Sequence, residues 1–399
     1  DRDTYDKSIS LTIKKKTIID SQYPQIKIAD LFTSIKNGKN VKQSDFAGGY
    51  RVSRIESIAN AEFDINATKW TTDIVDEQDF LQNGDILFSH INSVKYLGKT
   101  GIFDSDEKVV HGINLLRFRA NSLIMPKYAY AIFKLPVFMA EVQKYAIKAA
   151  NQASVNISNI KGIRIPVPPI DVQKQIVEEI GKIEKSNNDA KSLIDKNLSD
   201  IRIIINGLGS TVSIEEYFDI NILTLNPTFC WKDEFFTYID IDSVGKGDGS
   251  ISFDKKILGK DAPSRARRVA EDRTVIVSTV RPYLKGFAYI DSVPEKTIFS
   301  TGFALLKSKN EENYISKLLY YLFMFSDNLM KQMEKAMPKA AYPSINKEDI
   351  DNFKIPLLTI DEQKHIGDQI EALELEITKA RTLIESAASE KQAILDKYL

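Results

Sequence analysis

Two long stretches of the chain repeat apolar residues on a seven-residue frame. One runs through Ile176, Ile180, Ile183, Ala190, Ile194, Ile201 and Ile204; the other runs through Ile366, Ile370, Leu373, Ile377, Ala380, Ile384, Ala387 and Ile394. A period near 3.5 residues puts these side chains on one stripe of a helix and favours a helix pair over packing on a globular face. An amphipathic helix of such length is marginal without a partner, and the natural partner of each is the other. At 1.5 Å per residue each makes a rod of about 50–60 Å. Asn187 and Asn197 interrupt the first stripe and Lys391 the second. A polar residue in a helix seam costs stability but sets register and partner.

Each helix is opened by the same phrase. "IPVPPIDVQKQIVEEI" runs from Ile165 to Ile180 and "IPLLTIDEQKHIGDQI" from Ile355 to Ile370, with 8 identities in 16 positions at an offset of 190. That is the mark of an internal duplication. Proline ends a strand. Asp171 and Asp361 then stand where an N-cap or first-turn carboxylate would satisfy free backbone N–H groups. "NGLGS" (Asn206 to Ser210) supplies the glycine expected beyond a helix C-terminus.

Between these frames lie two segments of domain size that share a plan. "NGDILFSHINS" (Asn83–Ser93) parallels "EDRTVIVSTVRP" (Glu271–Pro282), an apolar strand ending in polar residues. "KVVHGINLLRF" (Lys108–Phe118) parallels "KTIFSTGFALLKS" (Lys296–Ser308), with a central glycine in each. Helices are expected over Pro126–Lys148, where Pro136 should kink or split the run, and over Asn310–Met337. "NQASVNI" (Asn151–Ile157) and "KAAYPSI" (Lys339–Ile345) read as polar loops, and "TYIDIDSVGKGDGSISFD" (Thr237–Asp254) as strand, glycine-rich turn, strand. The expected fold class is α+β: two similar domains of mixed β-sheet with helices, joined by two long helices in an antiparallel coiled coil, a pseudo-two-fold internal repeat. The expected division is an N-terminal tail or linker 1–20, a domain 21–165, a central spacer helix 166–207, a second domain 208–355 and a C-terminal spacer helix 356–399.

Length supports two or three domains rather than one core, since the chain has 399 residues. The single cysteine, Cys230, excludes an internal disulfide framework and fits a reducing cytoplasm. No apolar run reaches membrane-spanning length and no signal peptide is visible, so no membrane partner is expected. The absence of an initiator Met fits a fragment or processed piece. A net charge of −1 argues by itself against a nucleic-acid binder. The charge is segregated, however. Asp171–Asp200 holds 7 acids and 5 lysines, and Asp361–Leu399 holds 9 acids and 5 bases, which leaves +5 for the rest of the chain.

Catalytic signatures are weak. "NPTF" (Asn226–Phe229) is one residue from the tetrad by which amino-methyltransferases grip adenine, but it lacks the second proline and a glycine-rich cofactor loop. "GKGDGS" (Gly245–Ser250) lacks the ending of a phosphate loop and reads as a turn. His90, His111 and His365 with one cysteine form no zinc pattern. "DVQK" and "DEQK" echo nuclease spacing, yet their place at a helix start fits capping. No cofactor or metal is expected.

The two phrases, each closing a domain and opening a long helix, together with "VIVSTVRPYLKG" (Val275–Gly286), resemble the specificity subunit of type I restriction–modification enzymes. The likeness covers about residues 21–399. It implies a non-catalytic subunit whose two target-recognition domains each read one half of a split double-stranded DNA site. The helices act as spacer, methyltransferase (modification) subunits dock on the frame, and restriction/translocase subunits join them. Residues 1–20 depart from the usual start and resemble a linker of a fused methyltransferase, so the recognition region of a single-chain enzyme is one alternative. A coiled-coil adaptor binding proteins only is another.

DNA recognition needs cations for phosphates and polar side chains for base edges. The first domain offers Lys36, Asn37, Lys39, Asn40 and Lys42, then Arg51, Arg54 and Lys69, then Ser89, His90, Asn92 and Lys95, with Asn151 and Gln152 in a later loop. The second offers Ser264, Arg265, Arg267 and Arg268, then Ser278, Thr279, Arg281, Tyr283 and Lys285, with Tyr342 in the matching loop. Because the two copies differ, the half-sites should differ too.

Overall fold

The protein was analysed as a computed structural model that describes residues 19–59, 62–92, 97–149, 152–337 and 343–399. The expected N-terminal tail, up to residue 18, lies outside them, as do Lys95, Asn151 and Tyr342 and the side chains of Asn92 and Gln152. The described chain forms two compact units. One is the chain up to Asn188 with Glu385–Leu399; the other is Asp189–Ile384.

The first unit contains β1 (Gln25–Lys27), β2 (Phe32–Asn37), β3 (Tyr50–Val52), β4 (Lys69–Thr71), β5 (Ile86–Phe88), β6 (Ile91–Asn92), β7 (Thr100–Ile102), β8 (Val109–Val110) and β9 (Leu116–Ala120). Then come α1 (Pro126–Phe133), α2 (Pro136–Lys144), β10 (Ala146–Ala149), β11 (Gln152–Val155), α3 (Ile157–Gly162), β12 (Arg164–Pro166) and the first part of the long helix α4 (Ile170–Asn206). Its sheets run β2-β9-β5-β7, β4-β3-β8, β10-β11-β6 and β1-β12. Only β3 and β8 pair in parallel among these described strands. The aromatic centre is Phe32, Phe88, Phe118 and Phe133, with Phe138 stacked on Phe133 at 4.6 Å.

The second unit continues with β13 (Thr211–Ser213), α5 (Ile214–Tyr217), β14 (Phe218–Ile220), β15 (Leu223–Thr224), α6 (Pro227–Cys230), β16 (Phe235–Ile239), β17 (Lys256–Leu258), β18 (Ala266–Val269), β19 (Thr274–Ser278), β20 (Phe287–Ile290), β21 (Thr297–Ser300) and β22 (Phe303–Ser308). It ends with α7 (Ser316–Phe325), α8 (Asp327–Ala336), α9 (Lys347–Asn352), β23 (Lys354–Pro356) and the first part of α10 (Ile360–Tyr398). Its sheets run β14-β22-β19-β20, β15-β18-β21-β16-β17 and β13-β23. Much of the first unit's plan recurs, although among the described residues the sheet β10-β11-β6 has no counterpart. The four-stranded sheet recurs, the two-stranded pair recurs, and β16 pairs in parallel with β21 as β3 does with β8. The second unit adds β15 and β18 to its second sheet.

The doubled phrase contains a lock that the copies share. Gln173 is fully buried; its Oε1 accepts from Met125 N at 2.7 Å and its Nε2 donates to the carbonyls of Leu123 and Pro168 at 3.0 and 2.9 Å. Gln363, also fully buried, accepts from Ile315 N at 2.9 Å and donates to Asn313 and Leu358 at 2.9 and 3.1 Å. Every partner is displaced by the same 190 positions as the glutamines. A buried amide is costly unless all its bonds are met, so these two side chains tie the long helices to the starts of α1 and α7.

Within each unit the long helices pair antiparallel. In the first, Glu184 meets Lys391 at 2.8 Å and Glu179 meets Lys397 at 2.9 Å, while Ile176, Ile180, Leu395 and Leu399 enter the core. Gln22 N also donates to the carbonyl of Leu399 at 2.7 Å. In the second, Ile201, Ile205, Ile366, Ile370 and Ile377 are buried together with the sheet and α7. The helices therefore pack on each other and on their domain at once. The seam is less uniform than its sequence, because Ile183, Ile194 and Ile204 are half-buried whereas Asn197 is buried.

Several local expectations need correction. The run Pro126–Lys148 splits at Pro136 as expected, but its end, Ala146–Ala149, is strand β10, hairpinned to β11, so Gln152–Val155 is not loop. Alternating Ala153 and Val155 bury while Ser154 is half-buried, which is a strand period. The run Asn310–Met337 begins as turns, and α7 and α8 are separated at Ser326, whose hydroxyl caps α8 through Leu329 N. Asp171 and Asp361, by contrast, meet the first-turn alternative of their expectation, each lying in the first turn of its helix. In α10 the cap is Thr359, paired with Glu362. Val244 and Ile251 close the glycine-rich turn by one bridge, and the next strand is β17.

Candidate nucleic-acid interface

In the first unit, β2 ends in Lys36 and Asn37, and the chain then passes Lys39, Asn40 and Lys42 before a loop that returns as β3. Lys36, Asn37, Asn40 and Lys42 are exposed. Lys39 instead pairs with Asp79 at 2.8 Å and Asp76 at 3.4 Å. Arg51 donates to Ile65 O and Thr68 Oγ1, pairs with Glu107 at 3.2 Å and lies over the Trp70 ring at 4.5 Å. Arg54 pairs with Glu56 at 3.2 Å, and Lys69 pairs with Asp45. These four cations are engaged by acids of the fold, whereas Lys36 and Lys42 are exposed.

Ser89 and His90, also named as candidates, lie deeper. They are 0% and 3% exposed, so neither faces solvent. The His90 carbonyl accepts from Val155 N, and burial lowers the imidazole pKa. Beneath this surface Asp85, itself buried, is gripped by Arg119 at 2.7 and 2.8 Å with the Arg117 guanidinium beside it. His111 bonds Leu115 O at 2.9 Å, and burial, reinforced by Arg117, pulls its pKa down to about 3.

In the second unit the turn after β19 is the counterpart. Thr279 O accepts from Ile345 N, as His90 O does from Val155 N. Ser278 is buried and donates to Val280 O at 2.9 Å, while Thr279 Oγ1 donates to Gly302 O at 2.9 Å. Lys285 donates to Met324 O at 2.6 Å; burial, with Arg202 adding, lowers its pKa, against Asp327. Ser278, Thr279 and Lys285 thus build the turn. Arg281 and Lys285 flank it with left-handed backbones, φ 48° and 51°, a conformation that costs non-glycine residues about 1–2 kcal/mol. Arg281 N is anchored on Pro343 O at 2.9 Å, and Tyr283 stands exposed between them. In the turn before β18, Ser264 and Arg265 are exposed; on β18 Arg267 donates to Ala266 O at 2.7 Å, and Arg268 is half-buried with Nη1 unpartnered, burial lowering its pKa.

The structure also presents exposed residues that pattern reasoning passed over. Phe46, Phe229, Lys232 and Lys260 are exposed. An apolar ring in a polar loop carries no periodic signal, and "NPTF" drew attention to its asparagine rather than its phenylalanine. A hollow of about 620 Å³ in the first unit has Glu62, Asp104 and Glu184 against the single cation Lys127 in its lining, a net charge wrong for phosphates. Among the described residues no group of His, Cys, Asp and Glu could hold a metal ion, and no helix is long and apolar enough to cross a membrane.

Two like frames carrying unlike polar loops are matched by comparison with known proteins. Residues 21–198 and 266–386 match the family described as type I restriction modification DNA specificity domain. The chain belongs to that family. As a specificity chain it is a non-catalytic, DNA-recognising component of a restriction–modification enzyme. It is 29% identical over 401 residues to the putative type I restriction enzyme MjaX specificity subunit of Methanocaldococcus jannaschii, covering 92% of this chain and 88% of that one. The EcoKI specificity subunit of Escherichia coli is 22% identical over 187 residues, 44% of this chain and 40% of that one. The crystal structure of the type I S subunit from M. genitalium shares the fold of this specificity chain at a TM-score of 0.57 and 14% identity, over 97% and 98% of the two chains. A chain from a structure of type I complex assembly and conformational transition does so at 0.53 and 15%, over 95% and 99%.

Proposed function

We propose that this specificity chain reads a two-part, asymmetric sequence in double-stranded DNA and presents it to methyltransferase and restriction/translocase subunits. The target-recognition domains are residues 21–165 and 208–355, and the spacer helices are 166–207 and 356–399. The observation that carries the reading is the contrast inside one chain. Gln173 and Gln363 make the same three bonds at the same offset, while the surfaces above them differ. Lys36, Asn37, Asn40 and Lys42 are displayed in one copy and Arg265, Arg281 and Tyr283 in the other.

Frames held alike with unlike reading surfaces suit two half-sites of different sequence. Linked readers gain avidity because the second contact becomes effectively intramolecular. Exposed lysine and arginine supply phosphate contacts; arginine and asparagine supply bidentate contacts to guanine and adenine. Mapping of methylated bases in the host genome tests this directly. A split, non-palindromic motif that disappears when this gene is deleted is the expected result. An unchanged methylation pattern would refute it, and so would binding to random duplex that does not weaken steeply with salt.

A further inference from the structure

We propose that Phe46 and Phe229 are DNA-wedging side chains, one per recognition domain, whose rings enter a base step of the bound half-site. The proposal rests on the DNA-reading function above and adds an apolar component to it.

Phenylalanine is normally withdrawn from water, yet Phe46 is 85% exposed and Phe229 is 83% exposed. The two occupy one place in the repeated plan. Each lies in the segment that leads into the strand with a parallel partner, β3 in one unit and β16 in the other. Each strand also begins with an exposed aromatic residue, Tyr50 or Phe235. The two segments share no sequence, so the same placement is reached by different local means.

Both segments are built rather than slack. Ser44 exchanges two backbone bonds of 2.9 Å with Trp70, and its Oγ accepts from Phe46 N at 3.0 Å. The turn closes at Gly49, φ 70°, where a Cβ would lie 2.1 Å from Thr71 O. In the second unit the Asn226 side chain accepts from Thr228 N at 3.2 Å and its carbonyl accepts from Phe229 N at 3.1 Å. Gly259 packs against this turn so closely that a Cβ would lie 2.0 Å from Trp231 O. Rings held on fixed backbone lose little ordering entropy on contact.

The surroundings indicate the occupant. In Lys36–Arg54, Lys39, Arg51 and Arg54 are paired with acids, while Lys36 and Lys42 are exposed; Leu223–Phe235 with Lys256–Ala270 carries 6 basic and 3 acidic residues. A flat apolar ring amid excess positive charge fits a polyanion that offers flat apolar faces between its charges. Stacked base pairs flanked by phosphates meet that description, and phenylalanine is one of the side chains that wedge between base steps.

The test uses the specificity chain assembled with its methyltransferase subunits, on duplexes that carry its mapped methylation motif with 2-aminopurine placed at successive positions. Wild-type protein should raise fluorescence at one step in each half-site. Phe46→Ala should abolish the rise in one half and Phe229→Ala in the other. Each should weaken binding about tenfold, equivalent to about 1.4 kcal/mol, and leave the slope of log K against log salt unchanged. Phe46→Trp and Phe229→Trp should keep the rise. Unchanged affinity and fluorescence in the alanine variants would overturn the wedge. So would a reduced salt slope, or loss of the rise in tryptophan variants that melt like wild type. Normal DNA binding with lost methyltransferase assembly would make these rings a protein-docking face and also overturn it. Failure of the wild-type complex to bind duplex would instead refute the DNA-reading function itself.

Discussion

Asn197 Nδ2 donates to Glu376 Oε2 at 2.8 Å across the antiparallel helices of the second unit, and Asn197 is buried while Glu376 is exposed. The pair puts a polar anchor in the middle of an apolar seam. A charge-assisted bond with one end in water stabilises modestly. A double-mutant cycle of Asn197→Ala and Glu376→Ala should show a coupling of about 1 kcal/mol in urea denaturation. Additive effects would mean that the bond does not hold the seam in solution.

The buried glutamines should matter more. Gln363→Ala leaves Ile315 N and the carbonyls of Asn313 and Leu358 without their partner. The expected cost is about 2–4 kcal/mol, as several buried polar groups lose their bonds together. Gln173→Ala should cost a similar amount in the first unit. Urea melting of each variant measures it, and a change under about 0.5 kcal/mol would exclude the proposed lock.

Acid should weaken the first unit selectively. His111 has a folded-state pKa of about 3, pushed there mainly by burial, against an ordinary value of 6.5. The folded form therefore binds fewer protons than the unfolded form between those values. Its contribution is undiminished above pH 6.5 and stability is lost as pH falls toward 3, by up to about 1.4 kcal/mol per pH unit. His90, lowered in the same direction by burial, adds to the effect. Replacing His111 with glutamine should flatten the stability–pH curve in this window; an unchanged slope would count against a buried neutral imidazole.

Phosphate contacts should be separable by half-site. Lys36→Ala and Arg265→Ala are each expected to weaken binding to all duplexes alike and to reduce the salt slope by about 1. Arg281→Ala, on the anchored turn, should lower affinity for one half of the motif only. Binding titrations against duplexes mutated in either half provide the comparison, and equal loss at both halves would contradict independent readers.

The frame of this protein was legible because its signals are periodic and doubled. The isoleucine stripes and the doubled phrase with its shared Ile–Pro and Ile–Asp steps announced two helices and a repeat. The strands ending at Phe88 and Ser278 followed from their apolar runs. The surface was harder to read, for an electrostatic reason. A basic residue in sequence does not show whether an acid from elsewhere will meet it. Lys39 and Arg51 looked free beside Lys36, but Asp79 and Glu107, distant in sequence, pair with them. Ser89, His90 and Ser278 looked like loop donors because they follow strands; closing of each turn by a later segment, through Val155 N or Ile345 N, buries them. The same blindness to long-range pairing turned Gln152–Val155 from a strand into an expected loop.

The burial of Leu395 and Leu399 in the first unit, with Gln22 bound to the Leu399 carbonyl, bears on how the chain is made. Of the two units, the one nearer the start of the chain lacks part of its interior until the last turns of α10 are in place. A chain that stopped short of those turns would leave the core around Ile176 and Ile180 open on the side that Leu395 and Leu399 fill.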